Sequence, residues 1–343
     1  MSAGLYFHHP ACLEHDPRVQ MPGHPDTPAR ILALEAHLAR ERWLGWEQRA
    51  APLASEAQLE LVHGAHHVQA IRELCAAGGG AIDADTYVGE ASYRAARRAA
   101  GGACAMVAAL LAGENTLGFC GVRPAGHHAE RDRAMGFCLF NNVAVAAQFA
   151  LAELGARRVF VLDWDVHHGN GTAEIFRSRR DVLFASIHQS ALYPGTGPLD
   201  DVGSGAGDGY TLNLPVPAGS EGALWLSLLQ HVVLPAASAF APDLVLVSAG
   251  FDAHRLDPLA GCCLETEDFA AMACHVRDFA TQLGVPLGAV LEGGYEPAIL
   301  GECVQATLAA LGSSGETAQA APEPLLTPRA AAQIGRYWPL PQP

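Results

Sequence analysis

Four short runs, 158–163, 182–187, 243–248 and 287–291, are almost continuous in valine, leucine, isoleucine, phenylalanine and alanine, with polar residues where each ends or just beyond. A strand that shows no polar alternation must be covered on both faces, the condition of a parallel sheet packed between helices. Runs 4–7 and 117–122 add two more strands. Between the runs lie stretches with helical spacing at 28–40, 91–113, 141–154, 221–240 and 267–283, the first with Thr27 as N-cap and Pro28 at the first helical position. Alternation of this kind predicts an α/β, three-layer single domain over 1–343: a mainly parallel central sheet with helices on both faces. Segment 312–328 reads as a loop and 328–337 as a last helix.

The polar residues at the strand ends locate the function. Asp163, Asp165 and His167 follow one strand; Ser186 and His188 close the next. Ser248, Asp252 and His254 follow a third, and Glu292 and Tyr295 a fourth. In parallel sheets, sites assemble at the C-terminal strand edge.

Composition excludes several classes. The chain has 343 residues, of which 50% are hydrophobic and 17% charged, so it supports a large core rather than disorder. Its net charge of −15 argues against coating nucleic acid, which needs clustered cations, and suits cationic substrates. Nine scattered cysteines without a Cys-x-x-Cys pair, and no signal peptide, predict reduced thiols in a cytoplasmic protein. No stretch reads as the roughly 20 apolar residues of a membrane span, so neither nucleic acid nor membrane is expected as a partner.

In Asp163-Trp-Asp165-Val-His167-His168-Gly-Asn170-Gly171, residues two apart leave a strand on the same side, so Asp165 and His167 converge. With Asp252 they offer three ligands, the count of a catalytic zinc with a fourth position open to water. The same residues also fit a structural acid–histidine cluster capping strand ends. His127 and His128, in Arg123-Pro-Ala-Gly126-His127-His128, offer a general base and an electrostatic partner, or simple packing. In Glu292-Gly293-Gly294-Tyr295 the glycines let backbone approach a substrate, and the phenol is placed to stabilise an oxyanion.

These segments, with Gly136-Phe137-Cys-Leu-Phe-Asn-Asn142 and Ser248-Ala-Gly-Phe-Asp252, resemble the histone deacetylase family of the arginase–deacetylase superfamily. The resemblance runs from about residue 20 to residue 312. The ending Ile334-Gly-Arg-Tyr-Trp338 looks like the class II branch, and a bacterial histone deacetylase-like amidohydrolase is the expected member. The resemblance implies one zinc held by Asp165, His167 and Asp252, and a structural potassium ion near Asp163, Asp165, His167 and Ser186. It implies His128 as general base and then acid, His127 as its partner, Asp163 orienting His127, and Tyr295 polarising the acetyl carbonyl. Phe137 and Tyr193, beside Gly136, become the walls of a narrow channel, with Asp85 or Asp83 gripping the substrate backbone at the rim. The implied substrate is an acetylated lysine peptide or protein, or another acetylated amine.

Departures refine this. Asn170 stands where class I members carry Asp, Tyr193 where Phe is commoner, and Leu259 where polyamine deacetylases carry Glu. A carboxylate at 259 attracts a second amine and leucine does not, which favours acyl-lysine over acetylpolyamine. Two rival functions fit less well. A two-manganese ureohydrolase needs an Asp-x-Asp pair, and Asp252-Ala-His254 lacks it; a silent acyl-lysine binder should have lost a ligand or Tyr295. A homo-oligomer is compatible with the sequence.

Elsewhere, His8, His9, His15 and His24 are expected at the surface, with His24 and Asp26 candidates for the pocket rim. His63, His66 and His67 are expected on a solvated helix face, and Cys262-Cys263 as buried thiols near the rim. Gly203, Gly205, Gly207 and Gly209 follow no strand and open no helix, so they read as a flexible connection beside the site rather than a dinucleotide fingerprint.

Overall fold

The computed structural model describes residues 2–313, 323 and 326–340. The strands are β1 Leu5–His8, β2 Glu47–Ala50, β3 Gly79–Ala81, β4 Tyr87–Gly89, β5 Leu117–Cys120, β6 Val159–Asp163, β7 Val182–Gln189, β8 Thr211–Val216, β9 Leu244–Ala249 and β10 Leu287–Leu291. Eight form one sheet in the order β2-β1-β5-β10-β9-β6-β7-β8, and every adjacent pair is parallel. β3 and β4 make a separate antiparallel ribbon.

The helices are α1 Ala29–Arg40, α2 Glu56–Leu59, α3 Ala65–Ala76, α4 Ser92–Leu111, α5 Asn142–Glu153, α6 Asn170–Phe176, α7 Gly222–Leu228, α8 Leu234–Phe240, α9 Thr266–Leu283, α10 Pro297–Gly312 and α11 Leu326–Ile334. They divide between two cores. Helices α2 to α6 pack on one face of the sheet, and α1 with α7 to α11 on the other. Strand β6 shows why its sequence carries no polar alternation: Val159 and Val161 enter the first core, Phe160 and Leu162 the second. Each such side chain contributes about 1.5–3 kcal/mol on burial, so either face would be costly to expose. The α/β expectation of a mainly parallel sheet with helices on both faces therefore holds.

The strand order matters for function. β5, β10, β9 and β6 are neighbours at the centre of the sheet, although far apart in sequence. Register places Asp163 beside Ser186 on one side and Ser248 on the other. The C-terminal ends of these strands thus deliver their polar residues to one place.

Several expectations change. Segment Gly222–Phe240 is long and apolar enough for a membrane span after all, but half of it is buried in the protein. A π-helical turn, Leu229–Val233, divides α7 from α8, and Trp225, Leu229 and Val233 fill the core. The last helix is Leu326–Ile334, earlier than 328–337; of the predicted loop 312–328, residues 314–322 and 324–325 lie outside the described residues. The glycines at 203–209 precede β8, at the sheet edge opposite the strand C-termini, so they do not flank the site. Gly209 instead packs on the Tyr337 ring, and its carbonyl accepts Trp338 Nε1–H at 2.7 Å.

Histidines move inward. His15, His24, His63 and His67 are buried, and only His66 of the 63–67 group stands in solvent. Packing of α3 against the first core explains it: His67 shares a helix face with Val68 and Ile71 and donates to the Leu139 carbonyl. Cys262 is buried and Cys263 exposed.

Candidate active site

The loop after β6 carries the densest chemistry. Asp165 and His167 leave the strand on the same side, and Asp252 arrives from the loop after β9. His167 Nδ1 lies 3.1 Å from Asp165 Oδ1 and 3.1 Å from Asp252 Oδ2. All three side chains are buried, and among the described residues they form a cluster of ligand atoms within 4.8 Å of one another.

The donor set fits a metal ion. Ligand atoms at about 2.0–2.1 Å from a tetrahedral zinc stand about 3.3 Å apart, close to the observed spacing. Charge gives a second test. Two buried carboxylates facing one imidazole leave excess negative charge, which a divalent cation offsets. Burial pulls the His167 pKa down, yet Asp252 and Asp165 raise it to about 10. A proton there stands where a cation is favoured.

The other oxygens of these carboxylates are fixed by backbone. Asp165 Oδ2 accepts Gly293 N–H at 2.8 Å, and Asp252 Oδ1 accepts Val166 N–H at 2.9 Å. Gly293 is required by space: a Cβ there would collide with Asp252 Oδ2. The Gly-Gly turn therefore serves the carboxylates, where sequence reasoning gave it to the substrate.

His127 and His128 sit with ring centroids 4.0 Å apart, and their environments drive them in opposite directions. His127 Nδ1–H donates to Asp163 Oδ2 at 2.9 Å. Burial lowers its pKa, but Asp163 and Asp165 override this and hold it well above the usual value. His128 is pushed well below the usual value by burial, then by His127 and His167. One ring is driven toward its cationic form and its neighbour toward the neutral base, the separation expected of an acid–base pair. Asn170 fixes the tautomer. Its Nδ2 donates to Glu130 Oε1 at 2.8 Å, so its Oδ1 accepts from His128 Nδ1–H at 2.8 Å. The Nε2 lone pair of His128 is left to act.

Tyr295 rests on a platform that sequence reasoning missed. Arg30, fully buried, stacks under its ring at 4.6 Å. Its guanidinium donates to the carbonyls of Gly294 at 2.6 Å and Glu292 at 2.5 Å, and to Asp26 Oδ1 at 2.9 Å. Asp26 also takes Arg123, at 2.6 and 2.9 Å, so it lies beneath the site rather than at its rim. The available signal was the i, i+4 spacing of Asp26 and Arg30. Glu292 Oε2 accepts the backbone N–H groups of Gly126 and His127, locking the histidine loop onto β10's end.

The remaining predicted residues line an approach to this centre. Gly136 has φ +56°, and a Cβ there would collide with the His128 ring and press on Tyr193 at 3.0 Å. Phe137 faces Tyr295 edge-on at 5.6 Å, and Tyr193 faces His128 edge-on at 5.1 Å. His24 backs Phe137 at 4.6 Å. Asp83 is consumed by its own turn, accepting the N–H groups of Asp85 and Thr86. Asp85 is the carboxylate turned toward Gly136 and Tyr193; burial, and then the Asp85 charge, raise the Tyr193 pKa well above the usual phenol value. Leu259 is half-buried, its N–H bound at 2.9 Å to Asp257, whose other oxygen accepts Tyr295 N–H at 2.6 Å. Ser186 hydrogen-bonds His188 Nδ1 at 3.0 Å beside Asp163.

Comparison with known proteins agrees with this geometry. A family model described as the histone deacetylase domain matches residues 24–311. The chain is 45% identical over 257 residues to a histone deacetylase-like amidohydrolase of Pseudomonas aeruginosa, covering 74% of this chain and 68% of that one. It is 41% identical over 302 residues to histone deacetylase 15 of Arabidopsis thaliana, covering 86% of this chain but only 54% of the relative. The crystal structure of the HDA15 HD domain superposes with a TM-score of 0.91 at 37% identity, over 98% of this chain and 96% of that one.

Proposed function

The chain belongs to the histone deacetylase family, and on that premise we propose that it hydrolyses the acetyl-amide of acetylated lysine side chains with one zinc ion. The observation that carries this reading is the pairing of a buried three-ligand centre with two adjacent histidines of opposite charge preference.

Asp165, His167 and Asp252 would hold the ion. Bound there, zinc supplies Lewis acidity to a carbonyl and lowers the pKa of water. The protein's own groups do the rest. His128 Nε2 accepts the proton of the attacking water, while cationic His127, held by Asp163, stabilises the negative charge that develops. The Tyr295 O–H donates a hydrogen bond to the oxyanion of the tetrahedral centre. His128 then returns its proton to the departing amine, leaving acetate and a free amine. Phe137, Gly136 and Tyr193 exclude water from the alkyl chain, and Asp85 accepts backbone N–H groups at the rim. Register of Asp163 with Ser186 supports a potassium ion beside the loop of Asp165 and His167, where it would steady the metal ligands.

For the substrate, Leu259 lies one shared carboxylate away from Tyr295 and offers no charge to a second ammonium. This favours acyl-lysine over acetylpolyamines. Nine free thiols suit a reducing compartment, in keeping with a cytoplasmic location. Acetate release from an acetyl-lysine peptide and from acetylputrescine, side by side, tests the substrate. Faster peptide turnover is expected; faster acetylputrescine turnover would replace acyl-lysine with polyamine.

A further inference from the structure

Beside the catalytic channel lies a second cleft, of about 930 Å³, between loop 189–200 and one face of α11. Tyr193 lines both, so the cleft and the channel share that side chain. Its floor is apolar, with Leu214, Pro217 and Leu228. Its far wall carries Arg329 on α11 and Arg336 in the turn that continues it, with Gln333 between them. The two arginines are seven residues apart, Arg329 on the helix and Arg336 two residues past its end.

The charge of this wall runs against the rest of the molecule. The chain carries −15 overall, and its arginines are commonly paired with acids. Arg329 and Arg336 are exposed and, among the described residues, have no carboxylate within salt-bridge distance; Asp200 is the one acid on the cleft wall. Two such guanidinium groups over an apolar floor complement an anionic, partly apolar peptide. The chain's 21 lysine-plus-arginine residues are all arginine, so lysine acylation cannot neutralise this wall.

We propose that this cleft binds an acidic segment of the polypeptide that carries the acyl-lysine. The inference rests on the deacetylase reading above and names which polypeptides that site receives. An extended peptide advances about 3.3 Å per residue, and the two long guanidinium side chains adapt to the spacing of their partners. Side chains on one face of such a peptide are an even number of residues apart, so the cleft suits carboxylates four residues apart, about 13 Å, as in Asp-x-x-x-Glu, a few residues from the acetyl-lysine.

The test uses the full chain loaded with zinc. Acetate release is measured at low salt from acetyl-lysine peptides carrying Asp-x-x-x-Glu or Gln-x-x-x-Gln on either side, and from free acetyl-lysine amide as a substrate too short to reach the cleft. The expected result is a kcat/KM about three- to tenfold higher for an acidic peptide, as two exposed charge pairs give, weakening with salt. Charge reversal by Arg329→Glu with Arg336→Glu removes that preference and leaves acetyl-lysine amide unchanged, while Arg329→Lys with Arg336→Lys retains it. Equal rates on acidic and neutral peptides, or a preference that survives charge reversal, overturn the cleft assignment. A preference displaced by inorganic phosphate at millimolar concentration, with no peptide bound at the cleft, assigns it to a small anion and also overturns it. No turnover of acetyl-lysine amide by the wild-type chain is a different failure, that of the deacetylase reading itself.

Discussion

The Asn170 and His128 side chains meet through a hydrogen bond of 2.8 Å, and Glu130 fixes its direction by accepting from the amide nitrogen of Asn170. An amide at this position orients the imidazole without adding charge. His128 therefore stays neutral, ready to accept a proton.

Asn170→Asp changes that charge. A carboxylate at Nδ1 favours the imidazolium, so the His128 pKa rises and the base form is lost at higher pH. The acidic limb of the kcat/KM profile then moves up by about one pH unit or more. A profile measured from pH 5 to 9 checks this; an unmoved acidic limb removes His128 as the titrating base.

Tyr295 and Asp252 should separate chemistry from metal retention. Tyr295→Phe lacks one oxyanion donor and is expected to lose about two to three powers of ten in turnover, with metal content and folding intact. Asp252→Ala opens the ligand set and should lose both metal and activity. Elemental analysis beside the rate assay distinguishes them. Normal turnover in Tyr295→Phe would take the phenol out of the mechanism.

Asp26 holds two buried guanidinium groups, and its carboxyl stays well below the usual carboxylate range because Arg123, His15 and Arg30 outweigh the effect of burial. Asp26→Ala leaves Arg30 and Arg123 without that partner, at a cost of about 3–5 kcal/mol. Urea unfolding measures it. The loss should also appear at the site, because Arg30 supports Tyr295.

Much of this molecule was legible because its central strands are apolar on both sides and each releases polar residues at its end. Asp163, Asp165, His167, Asp252, His127, His128 and Tyr295 were all named from sequence, and the fold brings them together. The missed strands of the main sheet, Glu47–Ala50 and Thr211–Val216, are its two edges. An edge tolerates the charges of β2 and Pro215 of β8, so neither carries the apolar signal. The buried histidines hid for another reason. His63 meets its partners, the Asn141 N–H and the Glu130 carbonyl, across more than sixty residues of sequence.

His63 makes a pH prediction away from the metal. Its Nε2 accepts Asn141 N–H at 2.9 Å and its Nδ1–H donates to Glu130, so a second proton has no acceptor. Burial, then His67, lowers its pKa to about 3. The unfolded chain takes up this proton near pH 6.5, the folded chain near 3. The stability His63 contributes is thus complete above about pH 6.5 and falls below it by about 1.4 kcal/mol per pH unit. The stability advantage of wild type over His63→Gln should shrink by about that amount between roughly pH 7.5 and 5.5. A constant gap in urea unfolding contradicts it.

Zinc dependence is tested most directly by a metal titration with turnover read on the same sample. The chain is stripped with a chelator and zinc is returned in steps, with bound zinc and acetate release from an acetyl-lysine peptide recorded together. Stripping is expected to abolish release, and release to recover in proportion to zinc, levelling at about one ion per chain, as a single three-ligand site requires. Full turnover by the metal-free chain, or one tightly bound zinc with no acetate released, would contradict zinc-dependent deacetylation.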